Sequence, residues 1–215
     1  MEYVQGSERV LIEARIKRIL AYRLPEWEEL PDQIRSRQFQ DFIGKQLGWL
    51  LDDEELLTGY MLQNYLKWNI LLPLEGRKYS REHVAWIVAI TLLKQVLTLD
   101  EIKRGITLLK EQMSARGAYE VFCQEFHLSL KLVFGPIMGI VNHVSGESDI
   151  RTAIERQLTE RYWEFYMRPL HMPTGAACRA LVWRLMTSEI LYGNCWPYLQ
   201  QRLLAMSQNS KMSEE

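Results

Sequence analysis

Residues 58–109 decide the fold of this chain: TGYMLQNYLKWNILLPLEGRKYSREHVAWIVAITLLKQVLTLDEIKRGITLL. Thr58 is a typical helix N-cap, and Asn69 tolerates the left-handed backbone that follows a helix end, so a helix of about ten residues is predicted between them. Side chains three and four positions apart align on a helix, which gives this one two different faces. The predicted packing face is Leu62, Tyr65 and Leu66, and the predicted outward face is Tyr60, Gln63, Asn64 and Lys67.

A basic turn and a second helix follow. Gly76 gives the turn conformational freedom, and two adjacent cations, Arg77 and Lys78, stand at its tip. Ser80 is the predicted cap of a helix over residues 81–97. This helix is apolar on nearly every side, so we expect it to lie in the middle of its domain.

The rest of the chain is also predicted to be helical. Thr98 and Glu101 have the spacing of a capping box, which marks the start of a third helix. Hydrophobic residues make up 47% of the chain, enough for a core, and β-branched residues nowhere alternate over a long run. We therefore predict an all-α protein with an N-terminal helix and acidic linker (1–32), a core (33–113) and a C-terminal helical domain (114–215).

Several helix limits can be predicted outside residues 58–109. A first helix is expected to start after Ser7 and to end before Pro25, and another carries Phe39, Ile43 and Leu47 at helical spacing. Further limits are a break at Gly135-Pro136, a helix over residues 149–168, a helix beginning near Gly175 and a short last helix from Pro197.

Three segments resemble winged helix-turn-helix regulators of the MerR type. MLQNYLKWNI (61–70) is similar to that family's second helix, TLRYYEREGL, with Gln63 at its arginine and Asn69 at its glycine. RKYSREHV (77–84) is similar to its RYYSDEDL, and LLKQVLTLDEIKRGI (92–106) to its LRELGFSLEEIRELL. The same segments resemble more closely an uncharacterised bacterial family, known only as a domain of unknown function and usually regarded as MerR-like. A MerR protein begins with this region, whereas a longer N-terminal segment precedes it here.

The resemblance implies a transcriptional regulator that binds double-stranded DNA. It implies a winged helix-turn-helix core and a homodimer, because paired half-sites need two such cores. Amide side chains can hydrogen-bond to adenine edges in the major groove, and cations at the turn would contact phosphates. The predicted DNA-binding residues are Tyr60, Gln63, Asn64, Lys67, Arg77, Lys78, Tyr79 and Arg81.

The charge distribution agrees with this interpretation. The whole chain has a formal net charge of -1, which argues against bulk electrostatic coating of nucleic acid. Residues 58–110 nevertheless hold eight basic and four acidic residues, a net charge of +4, whereas residues 1–57 have a net charge of -4. The sequence also fits two other classes of protein. One is a helical protein-interaction module, and the other is a small-molecule sensor with an effector site in the C-terminal half, near Trp163, Trp183 and Trp196.

No sequence motif predicts an enzyme or a cofactor. Cys123 and His127 are four positions apart, but a lone pair of ligand types is more often packing than a metal site. The apolar run over residues 132–146 is too short to cross a membrane. Glu2 and Glu8 interrupt any apolar N-terminal run, and the three cysteines form no CxxC pair, so we expect a cytoplasmic protein with free thiols.

Overall fold

A computed structural model of the chain describes residues 2–51, 56–142 and 171–192. This part of the chain is all-helical, as predicted, and its one β-type pairing is an isolated antiparallel bridge between Ile34 and Tyr79. The helices are α1 (Glu2–Ala21), α2 (Ser36–Leu51), α3 (Gly59–Lys67), α4 (Arg81–Leu93), α5 (Leu99–Lys110), α6 (Ala115–Asn142) and α7 (His171–Tyr192), with a 3-10 turn at Trp27–Glu29. None of these helices is long and apolar enough to span a membrane.

The chain divides into two compact units. A central unit contains Arg23–Phe126 and Pro169–Leu181, and a terminal unit contains Met1–Tyr22, His127–Arg168 and Val182–Glu215. The sequence of the central unit therefore includes α2 to α5, the first three turns of α6 and the start of α7. Every residue of the predicted DNA-binding set lies in the central unit.

The core of the central unit is built around α4. Ten consecutive residues of this helix, His83 to Leu92, are buried, which confirms the prediction of an apolar helix inside its domain. The helix ends at Leu93, four residues earlier than predicted. The chain then turns through residues 94–97, so that Thr98 can adopt the extended backbone of an N-cap.

The predicted caps of α3 and α5 are confirmed. Thr58 Oγ1 accepts the Met61 N–H at 3.1 Å, and Asn69 adopts a left-handed φ of 53° just after α3. Thr98 and Glu101 form the expected capping box, in which the Glu101 carboxylate accepts the Thr98 N–H at 2.7 Å. These local signals fix where α3 and α5 start, and therefore which side chains they bury.

The described part of the terminal unit joins α1 to the second half of α7. Ile12, Ile16 and Ile19 form the buried stripe of α1, as their spacing predicts. The Arg15 guanidinium donates to the Glu189 carboxylate of α7, with the closest N–O distance at 2.5 Å. This ion pair links residues that are 174 positions apart in the sequence.

Besides the end of α4, three predicted helix limits were wrong. Helix α1 begins at Glu2, so Ser7 lies within it and is not its cap. Helix α6 continues through Gly135-Pro136, because a proline inside a helix removes one hydrogen bond without preventing the helical backbone. Helix α7 begins at His171 and accommodates Pro173 in its first turn, where no intrahelical N–H bond is required.

Some sequence predictions fall outside the described residues. They are the helix predicted over residues 149–168, the last short helix from Pro197 and the side chains of Trp163 and Trp196. Trp183, the remaining member of the predicted effector site, is half exposed on α7.

Candidate nucleic-acid interface

Helix α3 separates its side chains into the two predicted faces. Leu62 and Tyr65 are buried, and burial raises the pKa of the Tyr65 phenol above its usual value. Tyr60 is 73% exposed, and Gln63 and Lys67 are also exposed. The outward face therefore offers an aromatic ring, an amide and a cation, and the helix contains no carboxylate.

The C-terminal end of α3 is fixed by several hydrogen bonds. The Tyr65 carbonyl accepts from the N–H groups of Ile70 and Leu71 at 2.9 and 3.2 Å, and the Trp68 N–H donates to the Asn64 carbonyl at 2.8 Å. The Lys103 ammonium of α5 donates to the Trp68 carbonyl at 2.6 Å, a favourable place for a cation because carbonyl groups are left unpaired at a helix end. Helix α3 is thus held to α5 as well as to the core.

The basic turn comprises residues 73–78, and both of its ends are anchored. At one end, the buried His83 ring donates from Nε2 to the Leu72 carbonyl at 3.0 Å. At the other end, Tyr79 exchanges two backbone hydrogen bonds with Ile34, at 2.8 and 3.1 Å. Between these anchors Gly76 has a left-handed φ of 81°, and Arg77 and Lys78 are exposed. The two cations therefore stand on a short turn with defined ends.

Tyr79 lies in the core and not on the surface. Its side chain is 5% exposed, and its ring makes edge contacts with Phe39 at 5.1 Å and His83 at 5.8 Å between centroids. Burial raises the pKa of the Tyr79 phenol. A ring in this position cannot reach a phosphate, so its contribution to the interface is to hold the end of the turn.

Arg81 is half buried and has structural partners. Its Nε donates to the Leu30 carbonyl at 3.1 Å, and its backbone N–H donates to Asp32 Oδ1 at 2.8 Å. Both bonds tie the segment before α2 to the N-terminus of α4. The structure thus separates the eight predicted residues into exposed side chains (Tyr60, Gln63, Lys67, Arg77 and Lys78), half-buried ones (Asn64 and Arg81) and the buried Tyr79.

Sequence reasoning missed two residues that position this region, His83 and Lys103. His83 occupies the third position of α4, where a capping box usually has Glu or Gln, and its Nδ1 accepts the Ser80 N–H at 3.1 Å. Ser80, three residues before His83, is a sequence signal that could have indicated this capping role. The contact between Lys103 and Trp68 spans 35 positions and has no local signature.

The cysteine thiols of the central unit are not ionised at neutral pH and are therefore unreactive. Burial raises the pKa of the Cys123 thiol to about 12 and that of the fully buried Cys178 thiol well above its usual range. A thiol must ionise to act as a nucleophile or metal ligand, so both are inert at neutral pH. Across the ranges that the structure describes, no three His, Cys, Asp or Glu side chains cluster in a way that could hold a metal ion.

Comparisons with known proteins found a similarity for the central part of the chain. Neither the curated proteins nor the solved structures gave a match. The expected similarity to a domain-of-unknown-function family is confirmed for a segment that begins two residues before the 3-10 turn and ends in α6. Residues 25–122 match the family described as Domain of unknown function (DUF1836).

Proposed function

We propose that the central unit binds double-stranded DNA in the manner of a MerR-like winged helix-turn-helix regulator. In this proposal α2 and α3 form the helix-turn-helix, α3 enters the major groove, and residues 73–78 act as the wing. The observation that carries the proposal is the set of exposed side chains on α3 and the turn, Tyr60, Gln63, Lys67, Arg77 and Lys78, which we call the α3–turn surface. The regulator would act in the cytoplasm as a dimer, because two half-sites require two recognition helices.

The outward face of α3 has the chemistry of base recognition. The helix has nine residues and is therefore about 13 Å long, a size that the major groove admits. The Gln63 amide can donate to and accept from an adenine edge, and Lys67 can donate to guanine or to a phosphate. A carboxylate here would repel the phosphate backbone, and α3 contains none.

The anchored turn has the chemistry of phosphate recognition. Arg77 and Lys78 can pair with phosphates on the DNA backbone, which fixes the position of a protein without reading sequence. His83 and the pairing of Tyr79 with Ile34 hold both ends of the turn before any ligand arrives. A turn that is already ordered loses less conformational entropy on binding.

The test is fluorescence anisotropy of a labelled random-sequence duplex at about 50 and 200 mM salt, the range over which phosphate contacts change affinity. Wild-type protein should bind more tightly at the lower salt concentration. The double variant Arg77→Ala/Lys78→Ala should bind more weakly and lower the slope of log K against log salt by about two, since each lost phosphate contact removes about one. Gln63→Ala should leave this slope unchanged and relax the preference in a site-selection experiment.

Arg104→Ala/Lys131→Ala is the matched control. It also removes two exposed cations, but from α5 and α6, so it should bind as the wild type does. Equal losses in the two double variants would mean that net charge alone governs the affinity. No binding of wild-type protein at micromolar concentration in the lower salt would overturn the DNA proposal.

A protein-interaction module is the second candidate, and three exposed apolar side chains favour it. Tyr60, Trp68 and Leu72 are 73%, 45% and 42% exposed on α3 and the segment after it. Exposed aromatic residues are typical anchors of protein interfaces. A saturable protein complex that survives Arg77→Ala/Lys78→Ala but is lost in Trp68→Ala would favour this function over DNA binding.

A further inference from the structure

A half-open cavity of about 340 Å³ lies within the central unit, between α4, α5 and the first turns of α6 and α7. Its size is more than twice that of an apolar cavity of roughly 150 Å³ that can hold benzene, and it falls in the range of small-molecule sites. Protein interiors are normally packed without voids larger than a water molecule, so a space of this size needs an explanation.

Small residues on four helices create the space. Ala85 and Ala89 of α4 lie one helical turn apart on the cavity wall, Gly105 faces them from α5, and Ala118 and Ala177 contribute from α6 and α7. A β-carbon added to Gly105 would meet no atom within 4 Å. Each of the four helices therefore contributes at least one small residue to the cavity wall.

The large residues on the walls present apolar surface, because their polar groups already have partners within the protein. The indole N–H of Trp86 donates to Glu82 at 3.1 Å, and the Tyr119 hydroxyl donates to the Pro25 carbonyl at 2.9 Å. Phe122 adds a third aromatic ring. An occupant would not need to satisfy these hydrogen-bonding groups.

The cavity walls carry one carboxylate, that of Glu101, and no cation. Glu101 accepts hydrogen bonds from the N–H and the hydroxyl of Thr98, and these bonds lower the pKa of its carboxyl. The other polar wall residues, Gln112 and Thr174, are uncharged. An anionic ligand would find no cation on these walls and would meet the Glu101 carboxylate, and most of the lining is apolar, so the chemistry of the walls favours a neutral, apolar molecule.

We propose that this cavity is a binding site for a neutral, largely apolar small molecule of fused-ring size, which packs against Trp86, Tyr119 and Phe122. The cavity lies between α4 and α7, and Trp183 is not among the residues that line it. The proposal concerns ligand binding alone and stands whether or not the α3–turn surface binds DNA.

The test uses phenylnaphthylamine, a neutral fluorophore whose emission rises in apolar surroundings. Wild-type full-length protein should bind one molecule per chain saturably. It should bind anilinonaphthalene sulfonate, a related probe that carries a negative charge, more weakly. Gly105→Leu should weaken binding of the neutral probe by roughly tenfold or more because the new side chain occupies the cavity, and Gly105→Ala should have a smaller effect.

Gly44→Leu is the matched control, because an added β-carbon at this exposed position on α2 also meets no atom within 4 Å. Both leucine variants replace a helical glycine, so both should melt at or above the wild-type temperature, but only Gly105→Leu should lose the probe. Equal binding by the two variants would place the probe elsewhere and overturn the proposal. Absence of saturable binding to the wild type would also overturn it, since the cavity would then be closed or filled by the chain itself.

Discussion

One buried histidine holds both the start of α4 and one end of the basic turn. His83 Nδ1 accepts the Ser80 N–H, and the Ser80 hydroxyl lies 2.6 Å from the same nitrogen. The Nε2 atom donates to the Leu72 carbonyl and therefore carries the proton. Because Nδ1 accepts a hydrogen bond, the ring is the neutral tautomer that is protonated at Nε2. A single side chain thus connects the capping of a core helix to the geometry of a surface turn.

Replacing this histidine should destabilise the protein and release the turn. His83→Leu removes both hydrogen bonds while keeping an apolar side chain, and we expect the free energy of unfolding to fall by about 2 kcal/mol. Urea denaturation measures this loss, and hydrogen exchange of the amides of residues 74–78 should become faster. His83→Gln, which retains an amide at the capping position, should recover part of the loss. An unchanged exchange rate in His83→Leu would show that the turn does not depend on this anchor.

Neighbouring helices of the central unit differ sharply in how much surface they bury. Helix α4 is buried along ten consecutive residues, whereas the buried residues of α5 are Ile102 and Ile106, one turn apart. A helix that is apolar on all sides must be surrounded by other elements, and an amphipathic one covers the core with a single stripe. Substitutions should therefore lower the free energy of unfolding strongly around the whole of α4, and only slightly at most positions of α5.

This difference can be measured with one substitution in each helix. Ile87→Ala removes a fully buried side chain and should lower the free energy of unfolding by about 2–5 kcal/mol. Leu108→Ala truncates a side chain that is 55% exposed and should change it by about 0.5 kcal/mol or less. Chemical denaturation of both variants is the measurement, and similar losses would contradict the burial pattern.

Features with local causes could be predicted from the sequence, and features with distant causes could not. The caps at Thr58 and Thr98 and the left-handed Asn69 depend on residues within one turn, so their patterns were sufficient. Tyr79 was expected at the surface because it follows two exposed cations, but its partners Phe39 and Ile34 lie more than 35 positions away. The cavity has no linear signature at all, since its walls come from four separate helices.

On the scale of the whole molecule, four thiols and phenols among the described residues share one electrostatic property. Burial raises the pKa of Cys123, Cys178, Tyr65 and Tyr79, all of which lie in the central unit. The folded protein therefore keeps these groups protonated at pH values where the unfolded chain would begin to lose their protons. Because the native state then binds more protons than the unfolded state, stability must fall as the pH rises.

Alkaline pH should therefore destabilise this protein progressively. The pKa of Cys123 is raised from 9.0 to about 12, so this group alone should reduce the free energy of unfolding by about 1 kcal/mol per pH unit within that interval. Urea denaturation at several pH values between pH 8 and pH 11 provides the measurement. Cys123→Ser, whose hydroxyl does not ionise in this range, should show a shallower decline. Identical pH profiles for the variant and the wild type would contradict this assignment.

The ion pair between Arg15 and Glu189 has a consequence for how the protein is made. Glu189 is added 174 residues after Arg15, which takes roughly 10 s or more at ordinary rates of translation. Meanwhile the residues from Arg23 to Phe126 are synthesised as one continuous block. The ion pair that links α1 to α7 can therefore form only after this whole block has been synthesised.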